Sequence, residues 1–223
     1  MAAPIVGFDE SHYTEAFIKN LYDTNFHNNH WNIFRPRNLN AAKIFYDTTK
    51  PKSVIDFGCS IGTYLEYFMK QGTQIRGFEF CFDECAPAIA QVAGLINHIT
   101  FGDVTKIINL DEKFDLAMSV EVAEHIPESC SDILVENLCN AATKNIIFTA
   151  AGLGQGGTGH INCQEKSFWI QKFNLRGWTQ DLELEQKIKN KMNPRYENDG
   201  NNEFPIVWDF VYNNLMVFKH DRH

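Results

Sequence analysis

Val54-Ile55-Asp56-Phe57-Gly58-Cys59-Ser60-Ile61-Gly62 is the stretch that decides the fold. Apolar side chains around one acid make a short strand, and Gly58 ends it. Thr63 to Lys70 follows with helical spacing and stops at Gly72. A strand that runs through a glycine turn into a helix leaves backbone N–H groups facing whatever occupies the strand end.

The alternation continues outward from this point. Gln74 to Phe80 reads as a second strand and Asp83 to Ile96 as a helix, with Pro87 tolerable only in its first turn. Ile99 to Phe101, Phe114 to Val120 and Asn145 to Ala150 read as three further strands. Between the last two, Ser129 or Ser131 caps a helix whose apolar face is Ile133, Leu134, Leu138 and Cys139. Strands that are continuous apolar runs and alternate with helices imply a parallel sheet covered on both faces. The expected fold is therefore α/β and doubly wound, with ligands bound beyond the carboxyl ends of the strands.

The flanks differ from this core. Residues 11 to 47 are rich in aromatic, His and Asn residues, among them Tyr13, Phe17, Tyr22, Phe26, His27, His30, Trp31 and Phe34, and read as a helical cap. Residues 181–192 read as a polar helix, 193–203 as a loop, and Leu215 to Lys219 as a final strand. The expected organisation is one domain over 1–223: a cap (1–50), a ligand-binding core (51–175), and a C-terminal helix with edge strands (176–223).

The 223 residues carry 20 basic and 28 acidic side chains, a net charge of -8. Residues 1–50 hold 5 of each sign and residues 151–223 hold 9 of each, so the middle hundred, with 6 basic and 14 acidic, accounts for the whole imbalance. Such a field repels phosphate, which argues against nucleic acid or an anionic membrane as partner. The six cysteines (Cys59, Cys81, Cys85, Cys130, Cys139, Cys163) form no paired CxxC motifs and read as small buried hydrophobes in a reducing compartment. No apolar run approaches the roughly 18 residues of a membrane span, and Met1 to Gly7 lacks the pattern of a leader. A cytoplasmic, soluble protein is expected.

Three ligand classes compete for the glycine turn. A P-loop needs Gly-Lys-Ser/Thr, and a dinucleotide fold wants GxGxxG; only Gly58 and Gly62 are present. Asp56 at the strand end would repel a pyrophosphate and suits a ligand carrying positive charge. Glu79 closes the second strand, placed to accept both hydrogen bonds of a ribose diol. Asp103, in Phe101-Gly102-Asp103-Val104, closes the third, placed to meet an adenine amino group. Any one of these acids alone reads as a polar residue next to a turn; three in register with a glycine loop point to a cationic, ribose- and adenine-bearing ligand without phosphates, S-adenosylmethionine.

On these residues, roughly 50 to 175 resembles the class I S-adenosylmethionine-dependent methyltransferases. The resemblance implies a mostly parallel, seven-stranded Rossmann-like sheet with an antiparallel C-terminal edge strand. It also implies that Asp56 bonds the methionine end of the cofactor, that Gly58 and Gly62 let it lie close, and that Glu79 holds the ribose. Ser60 stands where the family usually has a middle glycine. Val104 beside Asp103, and Ser119 at the end of the fourth strand, are assigned to the same site.

The acceptor side is carried by Ser119-Val120-Glu121-Val122-Ala123-Glu124-His125-Ile126-Pro127. On a helical turn Glu121, Glu124 and His125 share a face. The loop Gly152-Leu153-Gly154-Gln155-Gly156-Gly157-Thr158-Gly159 leads to His160-Ile161-Asn162 on the same edge of the sheet. Two carboxylates and two imidazoles from Glu121, Glu124, His125 and His160 can hold a divalent metal and leave positions open for a substrate diol. Glu-x-x-Glu-His with a later His resembles the magnesium-dependent O-methyltransferases of ubiquinone biosynthesis and of small-RNA 3′ ends, which implies Mg2+ or Mn2+. Two alternatives stand beside this. His160 or His125 acts as a general base without metal; or His125 packs and Glu124 salt-bridges the adjoining helix. The glycine-rich loop is a mobile lid or a plain linker. His160-Ile161-Asn162, the helix Glu165 to Phe173 with Trp169 and Phe173 inward, and the ending Tyr212-Asn213-Asn214-Leu215-Met216-Val217-Phe218 resemble small methyltransferases associated with surface-polysaccharide synthesis, which implies a sugar acceptor. Arg35 and Arg37 either pair with the methionine carboxylate or are solvated surface charges.

The function expected from sequence is O-methylation of a hydroxyl on a small-molecule or glycan acceptor. An RNA 2′-O-methyltransferase and a non-catalytic cofactor-binding subunit are the rival readings.

Overall fold

The computed structural model describes residues 13–192, 196–198, 203–205 and 207–221. Helices α1 (Glu15–Leu21) and α2 (Thr24–Asn29), a five-residue π segment (His30–Phe34) and α3 (Arg35–Thr49) form the expected cap. Strand β1 (Ser53–Phe57), helix α4 (Thr63–Lys70), β2 (Gln74–Glu79), α5 (Phe82–Ile89), β3 (Ile99–Phe101), β4 (Phe114–Val120), α6 (Ser131–Ala141) and β5 (Ala142–Thr149) build the alternating core. After it come α7 (Lys166–Asn174), β6 (Trp178–Gln180), α8 (Leu182–Lys191), the short strands β7 (Tyr196–Asn198) and β8 (Glu203–Pro205), α9 (Asp209–Asn214) and β9 (Met216–His220).

Seven strands form one sheet in the order β3-β2-β1-β4-β5-β9-β6. The pairs among β3, β2, β1, β4 and β5 are parallel, and β9 runs antiparallel to both β5 and β6. The order reverses at β1, next to β4, so the carboxyl ends of these two strands flank the crevice where such folds take ligands. The C-terminal strand is antiparallel as expected, one place in from the edge, with β6 outside it.

Alternation along the strands supplies two apolar faces. Val54, Leu116, Met118, Ile147 and Val217 pack with α3, α4, α5 and α8, whereas Ile55, Phe57, Ala117, Phe148 and Phe218 pack with α6 and α7. Trp169 and Phe173 are fully buried on the second face, as their spacing implied. All six cysteines are free, and no described helix is long and apolar enough to cross a membrane.

Four local expectations are corrected. Helix α5 ends at Ile89 rather than Ile96: Pro87 lies inside it, removing a backbone donor, and Gly94 at φ +81° turns the chain into a short 3-10 segment, Leu95–His98. Neither Ser129 nor Ser131 caps α6; Ser131 is its first residue, buried, and accepts a hydrogen bond from Asn162 Nδ2 at 3.1 Å. Part of the loop expected over 193–203 is a hairpin strand, since β7 pairs antiparallel with β8. Arg35 takes neither expected role: it donates from Nε and Nη2 to the buried Glu66 at 2.9 and 2.6 Å and lies over the Trp31 ring.

Candidate active site

Gly58, Ser60, Glu79, Asp103 and Val104 line one cavity, open to solvent on one side, at the carboxyl end of the sheet. The loop that closes its floor carries three left-handed residues in five: Gly58 at φ +79°, Ser60 at +49° and Gly62 at +71°. A Cβ on Gly58 would stand 2.6 Å from Val122, so only glycine lets the end of β1 approach the turn that follows β4. Ser60 holds its unfavourable conformation because its N–H donates to Glu79 Oε2 at 2.7 Å and its hydroxyl meets His27 Nδ1 at 3.4 Å.

The Glu79 carboxylate also accepts the Cys81 N–H at 2.9 Å. Burial raises its pKa while these amide donors pull the other way. Asp103 accepts from the Thr105 N–H and hydroxyl, which fixes it at the end of β3. Three residues assigned to the cofactor do not line the cavity. Asp56 lies buried beneath the loop, where desolvation, reinforced by the charge of Glu79, lifts its pKa to about 8. Gly62 packs against Ile99 and Leu95. Ser119 is fully buried, and its hydroxyl donates to the Phe57 carbonyl at 3.0 Å, tying β4 to β1.

The opposite wall comes from the cap, through Tyr13, Ile18, Tyr22, Phe26, His27 and His30, and Glu121, Val122, His125 and Ile126 of the segment after β4 line it as well. The aromatic richness of this segment was visible in the sequence; which rings face inward was not, because the π segment breaks the 3.6-residue period on which that inference rests. His27 bridges Ser60 and Cys85, whose thiol lies 3.2 Å from Nε2, and burial lowers its pKa to about 4.

At the other end of the cavity the chain leaves β4 through Glu121 at φ +54° and enters a 3-10 turn, Ala123–His125. This kink replaces the helical turn expected there, and Glu121 still lies close enough for its charge to act on Glu124. Glu124, His125 and His160 bring one ligand atom each within 4.8 Å of one another, and Glu121 is not in that group. Its carboxylate is turned to Asn214 Nδ2 (2.9 Å) and Gln155 Nε2 (3.2 Å), two donors without a sequence signal of their own.

Glu124 is fully buried, and neither side-chain oxygen has a hydrogen-bond partner. Desolvation first, and the charge of Glu121 second, raise its pKa well above the carboxylate range. His160 Nδ1 lies 3.0 Å from the Gln155 carbonyl, so it carries the proton and Nε2, 4.0 Å from Glu124 Oε1, is bare. His125 Nδ1 lies 2.8 Å from the Tyr22 hydroxyl and 3.3 Å from the Gly159 carbonyl. A carbonyl can only accept, and the Tyr22 hydroxyl donates to the Thr158 carbonyl at 3.2 Å, so Nδ1 is again the protonated nitrogen. Burial, with the neighbouring His160, lowers the His125 pKa to about 3 and keeps it neutral. Two neutral imidazoles and a buried acid without a hydrogen-bond partner thus lie together at this end of the cavity.

The glycine-rich loop is built against this group. A Cβ on Gly157 would stand 2.2 Å from His160 Nε2, and one on Gly159 2.4 Å from the Tyr22 hydroxyl, whereas Gly152 and Gly154 face open space. Beyond it, the N–H groups of Ile161 and Asn162 donate to the Glu124 carbonyl at 2.8 and 3.1 Å, and buried Asn162 donates from Nδ2 to the Ala123 carbonyl at 3.1 Å.

Comparison with known proteins bears on the strand–glycine–helix half of this arrangement and on the turn after β4. Norajmaline N-methyltransferase of Rauvolfia serpentina is 34% identical over 96 residues, 40% of this chain and 33% of that protein. The chain spans a third or less of the length of the curated relatives it matches. Magnesium protoporphyrin IX methyltransferase from Synechocystis PCC 6803, solved with bound SAM, shares 15% identity at a TM-score of 0.56 over 78% of this chain and 89% of that one. An O-methyltransferase from a trans-AT PKS multienzyme of Brevibacillus brevis, in complex with S-adenosyl-L-homocysteine, shares 15% identity at a TM-score of 0.54, covering 100% of this chain and 83% of that one. At such identities the likeness is one of fold. The family described as "Methyltransferase domain" matches residues 27–145, more than half of the chain, from the cap through the glycine loop and the Glu121–His125 turn; this chain belongs to that methyltransferase family.

Proposed function

We propose that this protein transfers the methyl group of S-adenosylmethionine to a hydroxyl of a sugar-containing acceptor, with a divalent cation held by Glu124, His125 and His160. The observation that carries the reading is Glu124, a fully buried acid whose carboxyl oxygens have no hydrogen-bond partner, within 4.8 Å of ligand atoms of His125 and His160. A cation relieves all three at once, and it reverses the burial that keeps Glu124 protonated. The three residues that cluster offer two nitrogens and one carboxylate, a set that suits Mn2+ better than Mg2+. The sugar acceptor is supported by the resemblance of the His160–Asn162 and Tyr212–Phe218 segments to polysaccharide-associated methyltransferases.

Methyl transfer from a sulfonium is an in-line displacement at carbon that is already activated, so the protein has to align the acceptor oxygen and take its proton. The loop from Gly58 to Gly62 and the cap enclose the cofactor, and Glu79 and Asp103 present acceptors at the ends of β2 and β3. Asp56, once ionised, would act on the positive end of the ligand from beneath the loop, through its charge. A bound cation would lower the pKa of the acceptor hydroxyl and grip a neighbouring one. Tyr22 and the carbonyls of Gln155 and Gly159 hold both imidazoles in the form that leaves Nε2 free.

The test is S-adenosylhomocysteine formation with polyhydroxylated acceptors in chelator and after adding Mn2+, alongside calorimetric Mn2+ titration of Glu124→Gln. Activity that chelator abolishes and Mn2+ restores, with Mn2+ binding lost in the variant, is expected. Full turnover in excess chelator would reject the cation. Failure to bind S-adenosylmethionine would reject the whole assignment.

A further inference from the structure

Tyr22 sits between α1 and α2, on the cap, and reaches the cofactor cavity, His125 and the glycine-rich loop at once. Its ring lines the cofactor cavity and meets Phe26 edge-on at 4.9 Å and His125 at 5.5 Å. Its hydroxyl accepts from His125 Nδ1 at 2.8 Å and donates to the Thr158 carbonyl at 3.2 Å. The loop leaves room for it only because residue 159 has no side chain: a Cβ there would stand 2.4 Å from the hydroxyl.

Residues 152–160 do not line the cofactor cavity. Two bonds tie this loop to the turn after β4, His125 Nδ1 to Gly159 and Gln155 Nε2 to Glu121. The Gln155–Glu121 bond involves no cap residue, whereas the His125 N–H is shared between Gly159 and Tyr22. The Tyr22 bonds begin on the cap, which supplies one wall of the cavity.

We infer that Tyr22 is a positioning residue that couples the two ends of the site: with the cap closed over the cofactor, its hydroxyl seats Thr158 and fixes the His125 ring, so the acceptor end is assembled only when the cofactor end is covered. The inference rests on the cofactor reading above and is independent of the metal. Reaction order follows from it, since an acceptor that arrives before the cofactor meets an unseated loop.

Hydrogen exchange with S-adenosylhomocysteine as the probe tests this on the full chain. In the wild type, the probe is expected to slow exchange in residues 152–160 by about threefold or more, although those residues do not line its cavity. Tyr22→Phe keeps the ring and removes only the bonds. It is expected to bind the probe within about threefold of wild type and to protect residues 58–62 and 102–104 normally, while protection of 152–160 is lost. Gly159→Ala displaces the hydroxyl from the loop side and is expected to give the same pattern should Tyr22→Phe disturb the cavity. Persistence of loop protection in both variants overturns the coupling, as does a wild-type loop that the bound probe leaves unprotected. A wild type that binds no probe overturns the cofactor reading itself and takes the coupling with it.

Discussion

Asp56 shows at the scale of one residue how the fold prepares for a cation. Burial, with Glu79 nearby, raises its pKa to about 8 in the cofactor-free protein, while the unfolded chain releases this proton near pH ~4. Between those values the folded state binds one proton more than the unfolded state. The stability contributed by this group is therefore fully present below about pH 4 and is lost as pH rises through about 8. Asp56→Asn removes the titration, so its melting temperature is expected to gain on wild type as pH is raised from about 5 to about 8, with the gain vanishing toward about pH 4. An equal offset at every pH would mean that Asp56 is ionised in the empty protein. The same variant is expected to bind S-adenosylmethionine at least about tenfold more weakly, because the amide offers no charge to the positive end of the ligand. In wild type, binding should tighten with pH up to about 8, since the cation selects the ionised acid.

Elements, rather than residues, decide which part of the glycine-rich segment matters. A linker would tolerate alanine anywhere, whereas a loop fitted against the site would not. Gly157 presses on His160 Nε2, while Gly152 faces open space without a left-handed φ. Gly152→Ala is accordingly expected to leave Mn2+ affinity within about twofold of wild type, and Gly157→Ala to weaken it by about tenfold or more, both read by calorimetry. Equal tolerance at the two positions would return the segment to a linker. The strand Val54–Phe57 and its glycine turn were legible in the sequence because strand, turn and helix start are local decisions. The failures are equally physical. Glu121 was expected on one helical turn with Glu124 and His125; its left-handed backbone delays the turn to Ala123, so it stands outside the cluster of Glu124, His125 and His160 while its charge still acts on Glu124, and the amides that hold it, Asn214 and Gln155, come from distant elements. Tyr22 and His27 left no periodic signal because the cap combines two short helices with a π segment. Serine at position 60 read as a departure from the family's glycine; its cost is met by bonds to Glu79 and His27 that only the tertiary fold supplies.

For the whole molecule, the uneven charge acquires a direction. Asp56, Glu79, Asp103, Glu121 and Glu124 all derive from the acidic middle hundred residues and lie at or beyond the carboxyl ends of β1 to β4, the edge that carries the cavity. Burial holds Asp56 and Glu124 toward their protonated forms, so at neutral pH the long-range field comes from the remaining acids, and the formal net charge of -8 is made less negative by those two protons. That field distinguishes substrate from product. S-adenosylmethionine carries a sulfonium and an ammonium against one carboxylate, a net positive charge, whereas S-adenosylhomocysteine has lost the sulfonium and is neutral overall. Steering by an acidic surface accelerates association of the first and is indifferent to the second, and salt removes the difference over a Debye length of ~10 Å at ~0.1 M. Stopped-flow association measured from ~20 mM to ~500 mM salt is therefore expected to slow several-fold for S-adenosylmethionine and by less than about twofold for S-adenosylhomocysteine. Equal salt dependence for the two ligands would show that the acidic edge exerts no long-range pull. The same field predicts that a short RNA duplex fails to bind at ~0.15 M salt, because the phosphate contacts that would hold it need clustered Lys and Arg. A salt-sensitive RNA complex would replace the sugar acceptor with a ribose 2′-hydroxyl.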